Sequence, residues 1–448
     1  MWVDASKYLR AFCALAAFYV LPGAAFGANT IPVDDYDNVQ LAVDAAEDGD
    51  CLKFSEKTYT FSNQVVVPSE SSHLVFLGAD LSDADKPLTI LKKNEASHCR
   101  FFNFAGSAES EISAIAFSGN GADAGSGSNG GAIHVTSNFA GTVANCTFES
   151  NSTVNGCTGG AIYCITLAGK LESSQFTGNR ADRGGAVYCL ESFAGTVANC
   201  TFESNWVTGV DCYGGAIYCI TLAGNLESSQ FVGNSTDERG GALYCHYSPE
   251  TSTLLHSCTF EGNRAQHGGA IYFLEGFAGT VADCKFESNL VSQSGGAIYF
   301  RSLSGTLESS QFWGNSADYG GAIYCNELSG TGILRNCAFG GNWADSDGGT
   351  IYCGTLSGTI QSCTFESSWA NNSGGAIYCG TLASDLESFL FTGNSAGNSG
   401  GAIACQFFSE SAIRDCTFEG NSAADYGGAI YCQSLVGTVA DCKFESNW

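Results

Sequence analysis

The sequence predicts an all-β fold, a right-handed parallel β-helix with one capping helix at its N-terminal end, and three observations predict it. A Gly-Gly-Ala-Ile-Tyr motif, with small variations, begins at residues 130, 159, 184, 214, 240, 268, 295, 320, 348, 374, 400 and 427, a period of about 27 residues. A second motif, Phe-x-x-Asn, alternates with it from Phe117 to Phe444, and only Phe365 is followed by Ser368 instead. Between the motifs lie short runs of Val, Ile, Tyr, Phe and Thr, broken by Gly-Gly, Ser-Gly-Thr and Asn-Ser, with no stretch of helical periodicity. A fixed period means that each unit stacks on its neighbours, and strand-type segments make the stack a parallel β-helix rather than a helical or leucine-rich array. Right-handedness follows from the crossover rule. Eleven coil steps at strand spacing give a rod segment about 53 Å long.

Composition agrees with this class. Of 448 residues 57 are Gly and 5 are Pro, hydrophobic types reach 44% and charged types 14%, which excludes a disordered chain and a collagen helix. The net charge of -27 opposes phosphate backbones and anionic lipid surfaces, so no nucleic-acid partner is expected.

Taken in order, residues 1–27 read as an export signal. Lys7 and Arg10 precede an apolar run from Ala11 to Leu21, and Ala25-Phe26-Gly27 supplies small residues for cleavage. Residues 28–112 form the N-terminal cap and first irregular coils. Here residues 39, 42, 43 and 46 share one helical face, Asp37 and Gln40 suit a capping box, and Gly49 can end the helix. Strands are predicted over Thr58 to Phe61, Val65 to Val67, Leu74 to Leu77 and Phe101 to Phe104. Residues 113–448 are the repeated coils. Residues 139–151 and 193–205 are identical, as are 159–169 and 214–224, which marks a duplicated two-coil unit.

Variation within each column separates inside from outside. In Gly-Gly-Ala-Ile-Tyr-Cys the fourth and sixth positions vary only among apolar types and point inward, so Ala and Tyr are expected to face out. The Phe of the second motif, the Cys or Ser two before it and the Val, Leu or Ile five before it also point inward, leaving the Phe-flanking residues to solvent. The motif Asn is expected to take a left-handed backbone at a corner and to stack its amide on the next coil's Asn. One inward column holds Cys164, Cys189, Cys219, Cys245, Cys325, Cys353, Cys379, Cys405 and Cys432. The other holds Cys146, Cys200, Cys258, Cys284, Cys337, Cys363, Cys416 and Cys442. Ser174, Ser229, Ser310 and Phe389 interrupt the second column and Phe273 and Phe300 the first, which favours buried fillers over a disulfide framework.

No catalytic constellation emerges from this pattern. The six His residues fall at unrelated repeat positions, and Asp182, Asp237, Asp318, Asp345 and Asp425 recur singly, as turn formers. Asp345-Ser346-Asp347-Gly348 is the best calcium candidate and stands alone, so no metal and no cofactor is expected.

The pairing of Gly-Gly-Ala-Ile with Phe-x-x-Asn resembles the repeat of the chlamydial polymorphic outer membrane proteins, autotransporters whose β-helical passengers act as adhesins and variable surface antigens. The motif maps onto Gly159, Gly160, Ala161, Ile162, Phe176 and Asn179, and again onto Phe202, Asn205, Phe231 and Asn234. The resemblance covers residues 113–448 and implies an exported surface protein that binds a host-cell protein or glycan and is not an enzyme. Family members carry a C-terminal β-barrel, and these residues hold none, so outer-membrane attachment would require a segment outside them. The alternatives are a polysaccharide-active β-helix lyase or hydrolase and a purely structural coat protein. The expected binding surface is the outward column Tyr163, Tyr188, Tyr218, Tyr244, Tyr272, Tyr299, Tyr324, Tyr352, Tyr378 and Tyr431. An unpartnered last coil would favour end-to-end self-association.

Overall fold

The computed structural model describes residues 29–79, 81, 87–94, 99–119, 129–153, 156–249 and 251–448; the expected export signal lies outside them. The chain winds as a parallel β-helix, with three long sheets of 16, 15 and 15 strands and a fourth of 10. One coil shows the path. Ile162–Leu167 lies in the Tyr-bearing sheet, Lys170–Glu172 in the next, Gln175–Thr177 in the Phe-bearing sheet, and Arg180–Ala181 in the fourth. Neighbouring coils pair in register, Ile162 on Val187, Leu171 on Val197, Phe176 on Phe202 and Arg180 on Trp206. Most strands of the fourth sheet are only two residues long, too short for an alternation that sequence patterning could detect.

The core is built from stacked columns. Phe117, Phe148, Phe176, Phe202 and Phe231 are fully buried, with successive ring centroids 4.7 to 4.8 Å apart and nearly parallel. The Val/Leu/Ile, Ile and Cys columns line the remaining walls as expected. Each such side chain contributes about 1.5–3 kcal/mol before entropy is set against it.

Two expectations about the corners need correction. Ala161 and its equivalents are fully buried in the core rather than outward. The strand begins only at Ile162, and at the corner the Ala161 carbonyl accepts both Ala132 N–H and Ile133 N–H at 2.9 Å, so the two-residue alternation does not reach back to Ala. Nor does the motif Asn turn the corner. The left-handed residue is the one before it, Gly178 at φ 62°, Ser204 at φ 53° or Gly233 at φ 61°. With the turn made there, the Asn side chain points inward and takes over the backbone pairing that the bend interrupts. Asn179 donates from its backbone N–H and from Nδ2 to Asn205 Oδ1, at 3.0 and 2.9 Å, and from Nδ2 to the Phe148 carbonyl at 2.9 Å. Asn205 repeats the pattern on Asn234. The Gly-Gly pair divides its labour: Gly159 adopts φ 69°, and a Cβ on Gly160 would lie 2.0 Å from the Gly185 carbonyl oxygen of the next coil.

Two departures from the repeat consensus at one corner meet in space. Thr350 replaces the buried Ala and Ser368 replaces the corner Asn, and Thr350 Oγ1 donates to Ser368 Oγ at 2.8 Å with both residues fully buried. A shorter side chain at one site is matched by a longer one at the other.

At the N-terminal end the helix spans Val39–Ala45 and buries Val39, Ala42 and Val43. Its cap is Asn38, whose side chain accepts Leu41 N–H at 3.1 Å, rather than the Asp37–Gln40 box. Gln40 serves elsewhere, its Oε1 accepting Val66 N–H at 2.7 Å and its Nε2 donating to Val66 O at 2.9 Å, which pairs the edge of strand Val65–Val67.

Candidate functional site

The Tyr column is a single stack standing outside the core. It starts at His134, whose ring lies 4.9 Å from Tyr163, and runs through Tyr188, Tyr218, Tyr244, Tyr272, Tyr299, Tyr324 and Tyr352 to Tyr378, with centroid spacings of 4.5 to 5.6 Å. Ala404 then interrupts it before Tyr431. The rings are nearly parallel, so each face is taken up by its neighbour and only edges and hydroxyls are left for a partner.

The expectation of a uniformly exposed column is corrected by the burial. Tyr163, Tyr188, Tyr218, Tyr244 and Tyr272 are only 4–9% exposed and form a second apolar cluster with Tyr213, Ile220 and Leu274, whereas Tyr299, Tyr324, Tyr352, Tyr378 and Tyr431 are half-buried. The cause lies in the flanking positions. Arg183, Tyr213, Arg239 and His267 form a ladder just before Gly-Gly in the early coils, and both guanidinium groups lie 5.5 Å from the Tyr213 centroid. Farther along, the ladder runs through Ser294, Tyr319, which meets Tyr352 edge-on, then Asp347, Ser373 and Ser399, and Gly354 and Gly380 stand two residues after Tyr352 and Tyr378. Burial drives the Tyr218 and Tyr272 phenols up to about 12. At the open end Tyr378 accepts a hydrogen bond from Gln406 Nε2 at 3.0 Å.

The remaining candidates are dispersed. His73 bridges Asp48 and Glu109, His246 faces Glu275, His256 faces Asp283, and His134 and His267 are held low by burial. His98 lies outside the described residues. Asp347 Oδ1 accepts Ser373 N–H at 3.0 Å and Asp182 Oδ2 accepts Gly156 N–H at 2.6 Å, so these carboxylates fasten one coil to another. Among the described residues no group of His, Cys, Asp and Glu is arranged to hold a metal ion. The column cysteines are thiols, Cys164 Sγ lying 3.9 Å from Cys189 Sγ, and burial pushes Cys146 and Cys200 up to about 12. Thiols held so far from ionisation are poor nucleophiles and metal ligands.

Sequence reasoning missed one outward feature. Trp343 and Trp369 occupy paired positions of the fourth sheet, their rings 5.5 Å apart and tilted by 38°, and both are well exposed. The available signal was their common position directly after the corner residue of the Phe motif.

Comparison with known proteins agrees with this architecture. A right-handed β-helix region matches residues 185–381, and the Chlamydia polymorphic membrane protein repeat matches residues 145–165, 173–190, 388–406 and 415–433. The search of curated proteins returned no match. A mannuronic acid specific polysaccharide family 6 lyase from human gut microbiota aligns over 90% of this chain and 83% of its own, at 9% identity and a TM-score of 0.36, a likeness too slight to bear on activity. The chain thus carries the Chlamydia polymorphic membrane protein repeat toward both ends of its array of coils, with a right-handed β-helix match between them and a parallel solenoid throughout.

Proposed function

We propose that the chain is an exported, surface-exposed adhesin or variable surface antigen, acting by binding a host-cell protein or glycan rather than by catalysis. The repeat match is the observation that carries this reading. The physical design supports it, because a stack of self-similar coils devotes its inward columns to folding and leaves its outward columns free to vary. The half-buried Tyr324, Tyr352 and Tyr378 offer a row of phenol hydroxyls spaced by one coil. The test is attachment of beads coated with the purified chain to cultured host cells. Saturable attachment, competed by free chain, is expected, and attachment no greater than that of beads coated with an unrelated acidic protein would refute the adhesin reading. Changing Tyr324, Tyr352 and Tyr378 together to Ser reduces attachment if the hydroxyl row is the contact surface.

A further inference from the structure

Exposed large apolar side chains gather on one stretch of the rod. Trp313, Trp343 and Trp369 are 39, 43 and 38% exposed in three consecutive coils, with Leu290 in the same column as Trp343. Trp313 reaches across to the next coil, its indole filling the space that a Cβ on Gly340 would occupy. Three accessible indoles, one on the Phe-bearing sheet and two on the fourth sheet across the corner from it, are far more than scattered surface apolarity requires.

The rim gives the sign of the partner. Asp318 and Asp345 follow one another in adjacent coils beside Trp343, and Glu287 and Glu366 flank Trp313 and Gly340 in the Phe-bearing sheet. None of the four makes an ion pair among the described residues, and burial together with Asp345 raises the Asp318 carboxyl. The patch is thus apolar, runs over the corner turned at Gly314 and Gly341, and is edged by carboxylates that have no ion-pair partner among the described residues.

The molecule itself shows what covers an indole in this column. Trp206 occupies the same column as Trp343, and the Arg180 guanidinium of the preceding coil lies over its ring at 4.5 Å. At the matching position before Trp343 stands Ser316, which is too short to reach over the ring. We propose that the Trp313–Trp343–Trp369 face docks an Arg- or Lys-bearing segment of a partner protein, a cationic side chain seating over Trp343 as Arg180 does over Trp206 and meeting Asp318 and Asp345. Cation–π contact and charge complementarity both act in this arrangement, and salt weakens it. The inference names a surface and a partner chemistry for the adhesin reading and rests on that reading only for where the partner comes from.

The test measures fluorescence anisotropy of a labelled nona-arginine peptide with the purified chain. Trp343→Ala and Ser316→Arg are each expected to weaken binding by about tenfold or more, the second by supplying the covering guanidinium in cis. Thr359→Arg, the same change of charge on another sheet, is expected to weaken it less than about twofold. Circular dichroism checks that each variant folds, and Ser316→Arg decides the matter if Trp343→Ala does not. Equal loss in Ser316→Arg and Thr359→Arg would show diffuse charge attraction and overturn the proposal. So would unchanged binding in both face variants, or quenching of indole fluorescence by a neutral cello-oligosaccharide but not by the peptide. Because the peptide assay involves no cells, its failure leaves the attachment result standing, and the reverse holds too.

Discussion

Replacing Asn205 by Ala should unfasten one corner of the rod. Asn205 is fully buried and takes part in four side-chain hydrogen bonds. It accepts Asn179 N–H at 3.0 Å and Asn179 Nδ2 at 2.9 Å, and it donates to Phe176 O at 2.8 Å and to Asn234 Oδ1 at 3.0 Å. Two side-chain groups keep other partners, since Asn179 Nδ2 still reaches Phe148 O and Asn234 Oδ1 still accepts Asn205 N–H. The Asn179 backbone N–H and the Phe176 carbonyl lose the amide they bond to. The Phe176 carbonyl keeps its ladder bond from Glu203 N–H, so one buried group, Asn179 N–H, is left unsatisfied and the substitution costs about 1–3 kcal/mol. Solenoid units contact only their neighbours, so the loss is local, and hydrogen exchange read amide by amide is the assay of choice. Exchange at Asn179 should accelerate by about tenfold, each factor of ten corresponding to about 1.4 kcal/mol. The natural Thr350–Ser368 pair supplies a rescue: Asn205→Ser combined with Ala186→Thr should recover about 1 kcal/mol relative to Asn205→Ser alone, the net worth of one hydrogen bond. Unchanged protection at Asn179 in the Ala variant, with stability within 1 kcal/mol of the parent (a threshold taken from the same scale), would refute the ladder as a stabilising element.

Other predictions follow from the same columns. Denatured, unreduced protein should show many free thiols by Ellman titration, whereas near zero would mean that the Cys columns are stapled. Gly160→Ala should destabilise more than Gly156→Ala in thermal melts, because a Cβ at 160 meets the Gly185 carbonyl oxygen at 2.0 Å and one at 156 meets nothing within 4 Å. The buried phenols are held protonated in the folded state, so their contribution is fully present below the ordinary Tyr value of 10.0 and is lost as pH rises through about 12. Absorbance titration should accordingly show Tyr218 and Tyr272 ionising only with unfolding.

How much of this was legible depends on how each position reports its environment. Columns that touch only copies of themselves are constrained to stack, so low variation marks the Phe, Ile and Val/Leu/Ile walls, and the structure places them in the core. Corners are harder. Ala161 and Asn179 sit where the two-residue alternation stops, and their orientation follows from the left-handed residue beside them, Gly159 or Gly178, rather than from strand periodicity. The candidate site was legible in position but not in exposure. That Tyr163 to Tyr378 lie outside the core follows from the pattern, but Arg183, Tyr213 and Arg239 cover the early part from a neighbouring segment, and a column read by itself carries no information about its flanks.

The Trp face is the better candidate for strong contact and the Tyr column for geometric order. In the Tyr stack each ring satisfies its neighbours, so the free energy of aromatic contact is already spent on folding and only edges remain. Trp343 and Trp369 are tilted by 38°, and Ser316 leaves the ring of Trp343 uncovered on the side where Arg180 covers Trp206, so their contact area is still available to a partner. A solenoid can make such a substitution cheaply, because one outward position in one coil touches only the coils above and below. A contact surface in this architecture is therefore to be sought where a column breaks its own rule on the outside. Breaks on the inside, such as Thr350 with Ser368, must be compensated by a second change within reach, and that requirement separates the two kinds of irregularity.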